Sequence, residues 1–299
     1  MKFGTTKDGV VCAIVEGDRV VALDGTYGPK IDSVQDIISG LAAETLDLSD
    51  VERIERHTLP LVQEIAWAAP IPQPRRNILC VGKNYVDHAK EFAGSGFDSS
   101  SQQGDDIPKH PIIFTKAPET VVGPDALIEV PLGLSEQVDY EAEIAVVIGR
   151  GGRSISEDEA MAHVFGYTLI NDVTARDLQK VHKQWFLGKS IDTFCPMGPY
   201  LVTSDAVDLP ALQLTCHVNG ELRQSAQASD MIFSIAQIIA SISRSMTLVP
   251  GDIIATGTPA GVGIGMKPPI FLREGDTVTV SSDQIGKLTS TVRQIEAAV

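Results

Sequence analysis

Residues 139–149, "DYEAEIAVVIG", decide how this chain is read. In a strand, side chains two apart share a face, so Glu141 and Glu143 project together while Ile144, Val146 and Ile148 line the other side. Two neighbouring carboxylates raise each other's pKa unless a positive charge lies between them, and a bound cation would supply one. A half-exposed strand with both groups in water satisfies the same pattern. A third carboxylate, Asp172 in "TLINDVTARDLQ" (168–179), follows an apolar run where the chain turns toward a polar, helix-like stretch. Three carboxylates without Cys or His form a hard, oxygen-only donor set that suits Mg2+, Mn2+ or Ca2+ and disfavours zinc. Water and substrate would complete an octahedral shell, which points to catalysis.

Around this stretch the pattern is mostly strand: "PIIFTKA" (111–117), "QLTCHVNG" (213–220), "DIIATGTP" (252–259) and "GDTVTVSS" (275–282). Helices are few. One is expected over 157–164, opened by the Ser156 to Glu159 capping-box pattern, and another over roughly 231–244, where Ile232, Ile235, Ile239 and Ile242 recur on one face. Before the prolines of "WAAPIPQPRRNILCVG" (67–82) lie a hairpin pattern, "VVCAIVEGDRVVAL" (10–23), and helical spacing at Val34, Ile37, Ile38 and Leu41. This predicts a small N-terminal α+β domain over residues 1–70 and a larger, mostly β domain over 71–299, an α+β chain overall.

Composition narrows the function classes. The 299 residues carry 39 acidic and 24 basic side chains, a net charge of −15, so a nucleic-acid backbone would be repelled. Hydrophobic residues make up 43% of the chain, enough for a core without staples. Cys12, Cys80, Cys195 and Cys216 show no zinc or C-x-x-C spacing and read as buried thiols. With no basic-then-apolar leader pattern in "MKFGTTKDGVV" and no apolar run of membrane-spanning length, a soluble cytoplasmic protein with no membrane partner is expected.

"NYVDHAKEF" (84–92) places His88 and Glu91 three apart, just before "AGSGFDSSSQQGDDI" (93–107), a stretch too polar and glycine-rich to pack well. A carboxylate on one ring nitrogen would fix the imidazole tautomer and raise the basicity of the other nitrogen. A helix start with a solvated glutamate fits the same residues.

Taken together, "RRNILCVGKNYVDHAKEF", "DYEAEIAVVIG", "GYTLINDVTARDLQ", "GKSIDTFCPMGPYL" and "GDIIATGTPAGVG" resemble the fumarylacetoacetate hydrolase family across essentially all of residues 71–299. The resemblance implies a mixed β-sandwich roll of the family's C-terminal type, a homodimer, and a divalent metal (Mg2+ or Mn2+, with Ca2+ as a further candidate) held by Glu141, Glu143 and Asp172. It also implies a catalytic His88–Glu91 dyad on or beside a lid spanning about 88–107, and Lys189 of "LGKS" as a charge-neutralising active-site lysine. Arg176, Gln179 and Thr258 match positions that contact substrate. The expected activity is metal-dependent hydrolysis of the C–C bond of an acylpyruvate, a step of aromatic catabolism, giving pyruvate and a carboxylic acid. The same enolate chemistry serves decarboxylases and isomerases acting on oxaloacetate or on ring-cleavage keto acids, and a hydratase or dehydratase of sugar-derived keto acids is a further possibility. In each case the partner is a small-molecule keto acid.

Overall fold

A computed structural model describes residues 1–16, 18–26, 30–49, 51, 54, 59–96 and 107–296. The first five strands are β1 (Lys2–Thr5), β2 (Val11–Val15), β3 (Arg19–Ala22), β4 (Ile78–Gly82) and β5 (Ile112–Lys116). Among the described residues, ten strands form one mixed sheet. Its path runs β3, β2, β1, Cys195–Thr203, Val164–Asn171, Ala142–Ile148, Ile253–Ala255, β4, β5, with a short strand, Val121–Val122, pairing beside Cys195–Thr203. A five-stranded sheet, from Glu221–Gln227 to Ala126–Pro131, forms a second layer. The protein is therefore α+β and dominated by mixed sheets. Through β1, which pairs with Cys195–Thr203, the N-terminal hairpin extends the main sheet.

The Ala142–Ile148 strand is buried at every position rather than alternately. Ile144, Val146 and Ile148 pack into a core shared with Ile235, Ile239 and Ile242 of the Ile235–Ser245 helix. Its other face places Ala145 and Val147 in a second core with Phe3, Ile37 and Ile38. Ile37 and Ile38 lie on helix α1 (Val34–Ala42), where the expected apolar face is found. Each large aliphatic side chain buried this way contributes about 1.5–3 kcal/mol, so this strand is a rigid spine that carries Glu143 and holds Glu141 just before its first residue.

Two helix boundaries differ from expectation, each for a local reason. The C-terminal helix begins at Ile235 because Ser234 and Gln237 cap it reciprocally, while Met231 is drawn into a β-bridge with Tyr85. Near residue 157 only Glu157–Ala160 is α-helical, followed by a 3-10 turn, since the Ser156 hydroxyl bonds the Glu159 carboxylate instead of a backbone N–H. All four cysteines are buried free thiols. No helix among the described residues is long and apolar enough to cross a membrane.

Candidate active site

Strand register brings the three carboxylates together. Ala142 pairs with Asn171 and Glu143 with Ile170, and the Asp172 N–H donates to the Glu141 carbonyl at 2.8 Å, so Asp172 stands across from Glu141. Glu141 and Glu143 share a face by the two-residue strand period. Among the described residues, one oxygen of each carboxylate lies within 4.8 Å of the others, and all three residues are buried. The solvated alternative is thereby excluded.

Cations surround this cluster. The Lys189 ammonium bridges Glu141 at 2.7 Å and Asp172 at 2.6 Å. Arg176 meets Glu141 at 2.7 Å through one terminal nitrogen and Asp139 at 2.9 Å through Nε. Lys116, at the end of β5, holds the other Asp172 oxygen at 2.6 Å and donates to the Val173 carbonyl at 3.1 Å. Burial alone would raise the Glu141 pKa, but Lys189 and Arg176 outweigh it and bring the carboxyl down to about 2. For Glu143, burial and then the charges of Asp172 and Glu141 push the carboxyl well above its usual range. The Gly257 N–H, 2.7 Å from Glu143, offsets only part of that. Gly257 has φ 99°, and a Cβ there would lie 2.7 Å from Asn84 Cβ, so only glycine lets the backbone reach Glu143.

The donor set fits a hard divalent ion: three carboxylates at one point, no sulfur or imidazole, and one member, Glu143, whose negative charge the resident cations do not balance.

The other expected residues converge on the same place. Helix α2 (Val86–Gly94) carries His88 and Glu91, with Nδ1 and Oε2 3.3 Å apart. Glu91 also accepts the Gly261 N–H at 3.1 Å, which ties the helix to the glycine loop after Ile253–Ala255. Thr258 on that loop accepts from Gln224 at 2.7 Å, and Gln179 accepts from Arg176 at 3.2 Å. Glu141, Glu143, His88, Arg176, Gln179, Lys189 and Thr258 all line one cleft, where Phe92, Phe114 and Trp185 supply apolar wall. Of the expected lid, residues 97–106 lie outside the described residues.

Sequence reasoning missed three supports. Lys116 sits in "PIIFTKA" as an ordinary strand end, and only the fold shows it facing Asp172. Asp139, in the opening stretch itself, accepts N–H bonds from Tyr140, Gly263 and Ile264 besides pairing with Arg176, and so locks the glycine loop to the carboxylate cluster. Gln224 bonds both the Ala142 N–H and Thr258. A lysine or aspartate placed among strand-forming apolar residues is the one signal that marks the first two.

Residues 77–293 match the family model described as fumarylacetoacetate (FAA) hydrolase C-terminal. The chain belongs to the fumarylacetoacetate hydrolase family. A family member from Exiguobacterium antarcticum, a solved fumarylacetoacetate hydrolase, is 40% identical, covers 99% of this chain and 100% of its own, and superposes with a TM-score of 0.82. Oxaloacetate tautomerase YisK of Bacillus subtilis is 52% identical over 77% of this chain and 74% of that protein. The human mitochondrial oxaloacetate tautomerase FAHD2A is 44% identical over 82% of this chain and 76% of that one.

These relatives overturn the expected activity. Acylpyruvate hydrolysis, and with it assignment as a C–C bond hydrolase, is not supported: relatives at 44–52% identity are oxaloacetate tautomerases, which favours the alternative of an isomerase or decarboxylase acting on oxaloacetate. The physical reason is that a cation site beside a base serves any reaction passing through an enolate. Whether a C–C bond then breaks depends on substrate and on water, neither of which the motifs encode.

Proposed function

We propose that the protein is a divalent-cation-dependent tautomerase of oxaloacetate, interconverting its enol and keto forms, with Mg2+ or Mn2+ as the ion. The observation that carries this reading is the His88–Glu91 pair at the edge of the three-carboxylate cluster, in a chain 52% identical to an oxaloacetate tautomerase. Tautomerisation moves one proton between the C2 oxygen and C3 and breaks no carbon–carbon bond. When bound by Glu141, Glu143 and Asp172, a divalent ion supplies Lewis-acid polarisation of the C2 oxygen.

The remaining work falls to side chains. Glu91 engages one ring nitrogen of His88, so the other nitrogen carries the proton to or from C3. Arg176 has a terminal nitrogen buried without a partner, a donor that costs about 1–3 kcal/mol unless something accepts from it. A substrate carboxylate is the acceptor proposed, with Gln179 and Thr258 beside it. Lys189 stabilises negative charge on the C2 oxygen. Aromatic walls limit water, which the reaction does not consume.

The test follows enol absorbance after crystalline oxaloacetic acid is dissolved with the protein and Mg2+, with pyruvate and CO2 measured in parallel. Faster approach to the keto–enol equilibrium without pyruvate is expected, and His88→Ala should slow it by roughly 10²–10⁴-fold. Pyruvate appearing at the rate the enol disappears would replace tautomerisation with decarboxylation.

A further inference from the structure

Beyond the carboxylate cluster, the cleft wall carries another cation. Lys83 lies on the turn between β4 and α2, is 4% exposed, and borders the cleft. Its backbone is left-handed, with φ 55°, a conformation that glycine adopts freely and a side-chain-bearing residue adopts at a cost. Strain of this kind persists where the surrounding structure imposes it, and here it sets a lysine at the mouth of the base-bearing helix. The Lys83 ammonium lies 5.5 Å from the centroid of the Phe92 ring, and the Arg176 guanidinium carbon lies 5.9 Å from the same ring. One aromatic residue therefore backs two cations that reach the cleft from different elements.

Arg176 and Lys189 hold Asp139, Glu141 and Asp172 at 2.6–2.9 Å and so compensate the acidic cluster. Lys83 enters from the β4–α2 turn, on the Phe92 side. A dianionic substrate must enter a chain of net charge −15, and it needs local positive charge for each of its two carboxylates. A 2-keto acid end placed at the carboxylate cluster and Arg176 leaves the second carboxylate of a four-carbon diacid to be received elsewhere on the wall.

We infer that Lys83 is a specificity-determining residue that receives the distal carboxylate of a four-carbon dicarboxylate and selects it over monocarboxylic 2-keto acids. The substrate's identity as oxaloacetate rests on the tautomerase reading. Selection of a dianion is measurable without turnover.

Malate and lactate, which differ only in the distal carboxylate, serve as non-reacting probes. Each is titrated calorimetrically into the Mg2+-supplied wild type, Lys83→Met and Lys83→Arg, with thermal unfolding verifying that the variants fold. The wild type should prefer malate. Lys83→Met should reduce that preference about tenfold or more, the size expected for loss of a charge-assisted contact, and Lys83→Arg should restore most of it. Equal weakening of both ligands in Lys83→Met, an unchanged preference, or a wild type that does not prefer malate would each overturn the inference. Should malate preference depend on Lys83 while oxaloacetate tautomerisation is absent, the proposed activity falls and the dianion site stands.

Discussion

Replacing Glu143 with glutamine should stabilise the chelator-treated protein at neutral pH and destroy its response to magnesium. Glu143 is 1% exposed, and burial together with Asp172 and Glu141 raises its pKa well above 4.5 in the fold. The folded state therefore holds a proton that the unfolded chain gives up near pH 4.5. Proton linkage then makes stability fall as pH rises from about 4.5 toward the folded pKa, at up to about 1.4 kcal/mol per pH unit for this one group. Glu141 has the opposite sign: lowered to about 2, it contributes stability that is present above 4.5 and lost as pH falls through that interval. Its full contribution is about 3 kcal/mol. The two windows do not overlap, so the difference between the wild type and Glu143→Gln in denaturant unfolding between pH 5 and pH 8 reports Glu143, while groups common to both proteins, such as the buried Asp139 whose carboxyl is also pushed up, cancel. In the presence of EDTA, the wild type should lose stability across this range relative to Glu143→Gln, whose amide has no proton to release. With millimolar Mg2+ the wild type should recover, since the ion takes the proton's place, and the variant should not respond. Parallel pH dependences for the two proteins in EDTA would refute the electrostatic reasoning.

Two further substitutions probe the supports. A Cβ on Gly265 would overlap the Glu91 carboxylate, so Gly265→Ala should displace Glu91 from His88 and lower kcat for tautomerisation while leaving Mg2+ affinity within about threefold, within the scatter of independent sites. Comparison of kcat with a Mg2+ titration checks it. Lys116→Met leaves the fully buried Asp172 with one fewer cation and should cost about 3–5 kcal/mol in urea unfolding. A loss below about 1 kcal/mol would mean that Lys189 alone compensates Asp172.

Much of the site was legible because its residues sit at short, periodic spacings. Glu141 and Glu143 differ by one strand repeat, and His88 and Glu91 by one helical turn; the fold brings Glu141, Glu143, His88 and Lys189 to one cleft, with Asp172 joining the carboxylate cluster and Glu91 held against His88. Lys116 and Gln224 were not legible, since each meets its partner across a large sequence separation that only the sheet order defines. The burial of Ala142–Ile148 on both faces also escaped a reading based on alternation, because it depends on α1 and the N-terminal hairpin covering the far side. The reaction was read least well. Motifs report the enolate-forming apparatus, and the step that separates a hydrolase from a tautomerase leaves no spacing of its own.

Whether Glu141, Glu143 and Asp172 jointly hold one divalent ion is decided at the cluster itself. Crystals grown with Mn2+ and measured at its absorption edge test this most directly. A single strong anomalous peak is expected among the three carboxylates, with the Lys189 ammonium no longer bridging Glu141 and Asp172 as it does at 2.7 and 2.6 Å here. Manganese density elsewhere, with Lys189 still joining the two carboxylates, would contradict it.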